Sequence, residues 1–444
     1  MSDAAPLTPG APVGILKALG AATLVAEVIA PGSVPAAAPV RAGVTLTATE
    51  AAAPAGGIAL ILGPSMISTP SQQYADTVEK LYLAPNGFTG ETQVLTTPES
   101  PYYLDSSEDE GAKILTAKIQ SLIDAGQVNA ENPVTVFGYS QSAALTTLAM
   151  QQLHAAGVPS EDVHFVLVGD SANPNGGMLI GFENLPGLSQ VLSAGDVTLG
   201  NPTPNDLYPT DIYTLEYDGY ADFPRYPVNL LSDLNALMGL TTQHLAYLGL
   251  TADQIADATP LQTAADGMIH SYMISSEYLP LLVPVLLMPV IGKPLYDLME
   301  PDMRILVNLG YGDMANGWND GPADVATPFS LAPPTIDWTE VSAALEQGAK
   351  DGYAAFTADL ANPATYQVGD LTDNPALAHL MAAAAGAGIV ENAQSMSLSE
   401  VIGAFLHTIS GSLSGAGVVA PGSALADLES GDVWGALLAS LGLA

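Results

Sequence analysis

Apolar and polar positions fall into alternating blocks through the middle of the chain. Gly57-Ile58-Ala59-Leu60-Ile61-Leu62 is an unbroken apolar run closed by Gly63-Pro64. So short a run, stopped by turn residues, predicts a strand buried on both faces. The spacing over Ser71–Leu83 predicts a helix, and Ser107–Ala125 a second one, acidic at its start and bearing lysines later, as the helix dipole favours. Pro133-Val134-Thr135-Val136-Phe137-Gly138 reads as a strand, Ser142–Ala156 as a helix, and His164–Gly169 and Asp211–Tyr217 as further strands. Strands separated by helices predict an α/β fold: a mostly parallel central sheet with helices on both faces.

The flanks are different. Residues 1–56 are rich in Ala, Pro and Val, and read as a helix with a linker or as a signal-like segment. In the signal-like reading, Gly14–Ala30 is the apolar stretch and Pro35-Ala36-Ala37-Ala38-Pro39 the cleavage region, although Lys17 and Glu27 interrupt the stretch. Residues 57–330 hold the α/β domain. Its most apolar run, Tyr278–Met288, is broken by Pro280 and Pro284 and followed by Pro289. It is too short to span a bilayer. The segment 278–292 therefore reads as a core wall or as a lid, with Leu281, Leu282, Val285 and Leu286 as candidate acyl-binding residues. Residues 331–444 carry helical patches at Thr339–Asp359, Asn374–Ala385 and Ser397–Leu413, an added helical C-terminal region.

Charge narrows the function. The chain has 46 acidic and 9 basic side chains, a net charge of −37. The anomaly is the scarcity of bases: none lies between Lys118 and Arg225, and none follows Lys350. Nothing would neutralise phosphates, so nucleic-acid binding through a basic groove is excluded. The absence of cysteine removes thiolate nucleophiles, disulfides and zinc–thiolate sites. No His-x-x-x-His pair and no phosphate loop ending in Lys-Ser/Thr occurs, so neither a metal nor a nucleotide cofactor is called for.

The most informative segment is Phe137-Gly138-Tyr139-Ser140-Gln141-Ser142-Ala143. A strand runs into Gly138 and a helix leaves after Ser142, so Ser140 sits on the turn between them. Such a turn holds a serine in a strained conformation and tolerates only small residues two positions away. Gly138 and Ser142 meet that demand, in the form G-x-S-x-S. The helix N-terminus then offers free N–H groups to an adduct on Ser140.

A seryl hydroxyl needs a base, and the base a carboxylate, in the chain order Ser, acid, His. Of six histidines, His154 and His164 come too early. His244 follows the strand ending at Tyr217 and is the candidate base, with His270 in reserve. The acid belongs in Asp218-Gly219-Tyr220-Ala221-Asp222-Phe223-Pro224. The turn followed by Asp before Phe-Pro favours Asp222, with Asp218 as the alternative that would bond backbone N–H groups. For the oxyanion hole, the candidates are the backbone N–H of Gln141 and Ser65 in the loop Gly63-Pro64-Ser65-Met66, because Pro64 has no N–H to give.

Gly138-Tyr139-Ser140-Gln141 and His244-Leu245-Ala246-Tyr247 resemble the nucleophile and histidine motifs of cutinases. The stretch Ile58–Asp313 is similar, more closely, to the PE-PPE domain family of serine hydrolases of mycobacteria and their relatives. The resemblance rests on the Ser140 motif, on Asn173-Pro174-Asn175-Gly176-Gly177, on Glu216 through Pro224, on Asn229 through Gly239, and on Tyr278-Leu279-Pro280-Leu281-Leu282. It implies an α/β-hydrolase fold, a Ser-Asp-His triad, and esterase or acyltransferase activity on lipid-like acyl esters. Two departures stand out. The family's Gly-Gly-Thr-Gly loop is altered to Gly63-Pro64-Ser65-Met66, and the N-terminal helical secretion module is not evident.

The expected activity is that of a serine carboxylester hydrolase using an acyl-enzyme on Ser140. The alternatives are an acyltransferase that passes the acyl group to a sugar or glycolipid, and a non-catalytic envelope-binding protein. The expected partners are an acyl ester or lipid and the lipids of the cell envelope, and the expected location is secreted or in that envelope.

Overall fold

The computed structural model describes residues 57–264, 266–288, 290–331, 335–366 and 374–389. The segment 1–56, Pro289 and the helix expected over Ser397–Leu413 lie outside the described residues.

Seven strands form one sheet: β1 (Ile58–Ile61), β2 (Glu91–Val94), β3 (Val134–Tyr139), β4 (Val163–Val168), β5 (Thr210–Leu215), β6 (Thr259–Pro260) and β7 (Ile269–Ile274). Their spatial order is β2-β1-β3-β4-β5-β7-β6. All neighbours pair parallel except β6 with β7. From β1 the chain goes one way to β2 and then returns to the other side as β3. This reversal opens a crevice at the carboxyl ends of β1 and β3, where α/β sheets bind ligands.

The apolar strands follow from burial on both faces. Ala59, Ile61, Phe137, Tyr139, Val166, Val168, Tyr213 and Leu215 face one way. They pack on Tyr74 and Val78 of α1 (Gln72–Val78), on Leu81 and Tyr82 just beyond it, and on Tyr247 and Leu248. Leu60, Leu62, Val134, Val136, Phe165, Leu167 and Ile212 face the other way. They meet Leu115 and Ile119 of α2 (Leu104–Asp124) and Leu145, Met150 and Leu153 of α3 (Gln141–Ala155). This layering, with a sharp turn at Ser140 after β3, is the α/β-hydrolase fold.

Three strands escape a search for apolar runs, among them the two-residue β6. β2 is Glu-Thr-Gln-Val at the sheet's edge, where no residue is fully buried, and β7 interleaves His270 and Ser271 with its apolar positions. Helices Leu230–Thr242 and Gly292–Asn308 complete the shell around the site. Within the 331–444 region, the helix Trp338–Ala361 packs on Gly292–Asn308. The helix Pro375–Gly386 packs on Tyr247–Gly249, where Gly249 lets the backbone of His379 approach closely.

The run at 278–288 forms two short helical turns, Pro280–Leu282 and Val283–Leu286. Leu282 and Val283 are buried with Tyr217, Tyr278, Tyr296 and Tyr311 in a third cluster, and Leu281, Val285 and Leu286 pack half-buried against it. Leu282 and Val283 thus belong to a core wall behind the turn described next.

Candidate active site

The site is built at the carboxyl ends of β3 and β5. Ser140 follows β3 with φ 58 and ψ −118, then caps α3. A left-handed conformation on a residue with a Cβ costs on the order of 1–3 kcal/mol, so surrounding structure has to enforce it. A Cβ on Gly138 would lie 2.8 Å from the Ser142 carbonyl oxygen and 2.9 Å from Ala143 Cα, so the turn closes only with glycine there. Ser142 is more than small. It is fully buried, its Oγ accepts the Tyr139 N–H at 2.8 Å, and it donates to the Tyr139 carbonyl at 3.1 Å.

Ser140 Oγ lies 2.8 Å from His244 Nε2. His244 stands just past the helix Leu230–Thr242, its N–H bonded to the Gly239 carbonyl, and is 4% exposed. Gly169, at the end of β4 with φ +59, clears space for it: a Cβ there would sit 3.1 Å from the imidazole. The other ring nitrogen, Nδ1, is 2.9 Å from both oxygens of Asp218. A carboxylate only accepts, so Nδ1 carries the proton and Nε2 is free to accept from Ser140.

The orienting carboxylate is therefore Asp218, which corrects the preference for Asp222. Asp218 is completely buried and also accepts the Tyr247 hydroxyl at 2.8 Å and the Tyr220 N–H at 2.9 Å. Asp222 turns the other way. Its Oδ2 accepts the N–H of Tyr217 at 2.8 Å, and its Oδ1 has no partner among the described residues. Burial pushes its carboxyl well above the ordinary range, and the nearby Glu216 and Asp218 add to the rise. Asp222 is a brace that holds Tyr217, a non-glycine residue at φ +68, directly before Asp218. The roles foreseen for the two aspartates, imidazole partner and turn brace, are exchanged.

Further struts fix the turn. Asn173 Nδ2 donates to the Ala221 carbonyl at 3.1 Å, and Phe223 N–H reaches the Gly176 carbonyl at 2.7 Å. The Asn173–Gly177 motif thus supports the acid turn. Behind it, Arg304 on the helix Gly292–Asn308 lies 3.6 Å from buried Glu216, bonds the Tyr217 hydroxyl at 3.2 Å and pairs with Glu300.

Gln141 is the first residue of α3, so its N–H has no partner inside the helix. Its side chain accepts the Ser65 hydroxyl at 2.7 Å and donates to Ser107 Oγ at 2.9 Å and to the Ser100 carbonyl at 3.2 Å. The loops after β1 and β3 are thereby clamped together. Ile67 N–H bonds the Pro64 carbonyl at 3.0 Å, closing a turn in which Met66 holds φ +71. Such a turn ordinarily takes glycine there, and Met66 occupies the altered position of the family loop. His270, the reserve base, sits near the start of β7, at the far end of the sheet, 3.2 Å from Asp211.

Tyr139, Tyr220 and Tyr247 ring the imidazole. Sequence reasoning assigned them nothing, although Tyr139 and Tyr247 lie within the quoted motifs and Tyr220 between the two candidate acids. Among the described residues no helix is long and apolar enough to cross a membrane, and no acid or histidine cluster fits a metal ion.

The PE-PPE domain model matches residues 64–312. The PPE family protein PPE28 of Mycobacterium tuberculosis is 41% identical over 334 residues, 73% of this chain and 49% of that protein. Esterase PE16 of the same organism is 40% identical over 296 residues, 64% of this chain and 52% of that one. Among solved structures, a cutinase-like protein from Cryptococcus sp. aligns at 24% identity and a TM-score of 0.24, covering 39% of this chain and 82% of that one. The chain spans about half the length of these two curated relatives.

Proposed function

The chain belongs to the PE-PPE domain family, and from that premise we propose that it is a serine carboxylester hydrolase acting through an acyl-enzyme on Ser140. The observation that carries this reading is the relay from Ser140 Oγ to His244 Nε2 at 2.8 Å and from His244 Nδ1 to Asp218 at 2.9 Å. The relative named an esterase supports it.

In the first step Ser140 Oγ attacks the acyl carbonyl while its proton passes to His244 Nε2. Asp218 holds the imidazole in register and stabilises the imidazolium that forms. The negative oxygen of the adduct is met by the N–H of Gln141 and that of Ser65, whose hydroxyl is committed to Gln141. His244 then returns the proton to the departing alcohol as its bond to the acyl carbon breaks. In the second step water loses a proton to His244, attacks the acyl carbon, and releases the acid and Ser140.

The test is a panel of acyl esters offered to the full chain and to Ser140→Ala. Activity should fall by at least about a thousandfold, and a fluorophosphonate should label Ser140 in the wild type. Full activity in Ser140→Ala would remove the proposal.

A further inference from the structure

Three tyrosine rings flank the His244 imidazole, with centroids at 5.7 Å for Tyr139, 6.3 Å for Tyr247 and 4.4 Å for Tyr220. Tyr139 and Tyr247 are buried, and their hydroxyls are used internally, on the His244 carbonyl and on Asp218. Tyr220 is different. It is 38% exposed, at the tip of the acid turn. Its backbone is pinned on both sides: the N–H donates to Asp218 Oδ1 at 2.9 Å, and the carbonyl accepts the Met178 N–H at 2.8 Å. A partly exposed ring thus stands beside the imidazole on a backbone held at both sides.

The chemistry says which part of a substrate meets that ring. After attack, the imidazolium carries the seryl proton on Nε2 and must hand it to the oxygen of the leaving alcohol. The alcohol half of the ester therefore passes on the His244 side. The water or alcohol of the second step arrives by the same route, because the same nitrogen takes its proton. The acyl chain, on the other arm of the carbonyl carbon, does not have to pass Tyr220. A pinned tyrosine offers contact area at low entropic cost, and ring faces pack on it in offset or edge-on arrangements.

We propose that Tyr220 is the platform for the alcohol half of the ester and selects for alcohols that carry a ring. This rests on the acyl-enzyme reading of Ser140 and adds the substrate class to it.

The test uses benzyl and methyl esters of one acid, whose alcohols are nearly equal in acidity, so the comparison reports contact rather than leaving-group chemistry. Fluorophosphonate titration of Ser140 counts the folded sites in the wild type, Tyr220→Ala and Tyr220→Phe. Per site, Tyr220→Ala should lower the benzyl-to-methyl ratio of kcat/KM by about twofold to tenfold, the range of one lost ring–ring contact. Tyr220→Phe, which keeps the ring, should restore the ratio. Equal losses on both esters in Tyr220→Ala would overturn the proposal and leave the acyl-enzyme standing, since the ring would then only support the imidazole. A ratio not restored by Tyr220→Phe would overturn ring packing as the cause. If the wild type turned over neither ester and Ser140 took no label, the acyl-enzyme reading and this proposal would fall together.

Discussion

Two aspartates four positions apart make opposite predictions. Asp218 receives His244 Nδ1–H, the Tyr247 hydroxyl and the Tyr220 N–H in a fully buried setting. In Asp218→Asn an amide nitrogen would face one of these donors. If it faces His244, the imidazole must present a bare Nδ1 and keep its proton on Nε2, where it can no longer accept from Ser140. A tautomer trap of this kind costs about 10⁴ in kcat, roughly 5.4 kcal/mol of transition-state stabilisation. Asp222→Asn should behave otherwise. Its carbonyl oxygen can still accept the Tyr217 N–H, burial already disfavours the charged form of the group replaced, and one of its oxygens has no partner among the described residues. A loss below about tenfold is expected, with stability changed by about 1 kcal/mol, the size of an ordinary hydrogen-bond adjustment. The assay is kcat and kcat/KM on one ester for both variants, with thermal melts to show that each is folded. A folded Asp222→Asn that loses a thousandfold, beside an Asp218→Asn that keeps a tenth or more of wild-type activity, would refute the assignment.

Two further outcomes follow from buried polar groups. Ser142→Ala should destabilise the fold by about 1–3 kcal/mol, read as a lower Tm, because it strands the buried Tyr139 N–H that Ser142 Oγ now satisfies; an unchanged Tm would show that the turn does not depend on this bond. Burial pushes the carboxyl of Glu99 up to about 8 even though the Thr97 hydroxyl bonds it. A folded-state value above the unfolded one means the unfolded chain gives up this proton first, so stability is lost as pH rises from the ordinary carboxylate range toward that value. Glu99→Gln should therefore gain on the wild type in melts between about pH 5 and pH 8 and level off beyond; a pH-independent difference would mean that Glu99 is ionised in the fold.

The strands that were legible in the sequence are those buried on both faces. β1, β3 and β4 are mostly apolar runs because each is covered by helices above and below, and β5 keeps Ile212, Tyr213 and Leu215 alongside Thr210, Asp211 and Thr214, all of them buried. The strained turn was legible too, because only small residues fit two positions from Ser140, and the backbone contacts around Gly138 show why. β2, β6 and β7 were not: β2 and the two-residue β6 lie at the sheet's edges, and β7 breaks its apolar positions with His270 and Ser271.

Local pattern also brought both aspartates into view without deciding between them. Either could have met the imidazole from one turn of chain. Tyr217 at φ +68 reverses the backbone, so that Asp218 faces His244 and Asp222 folds back on the Tyr217 N–H. The tyrosines around His244 come from three separate segments, and no spacing along the chain records that they share one imidazole. The chain by itself determined which residue types stand on the turns, because backbone conformation and burial are local demands. Only the tertiary structure decided which of them touch, because that depends on how the loops after β3 and β5 and the helix before His244 are packed together.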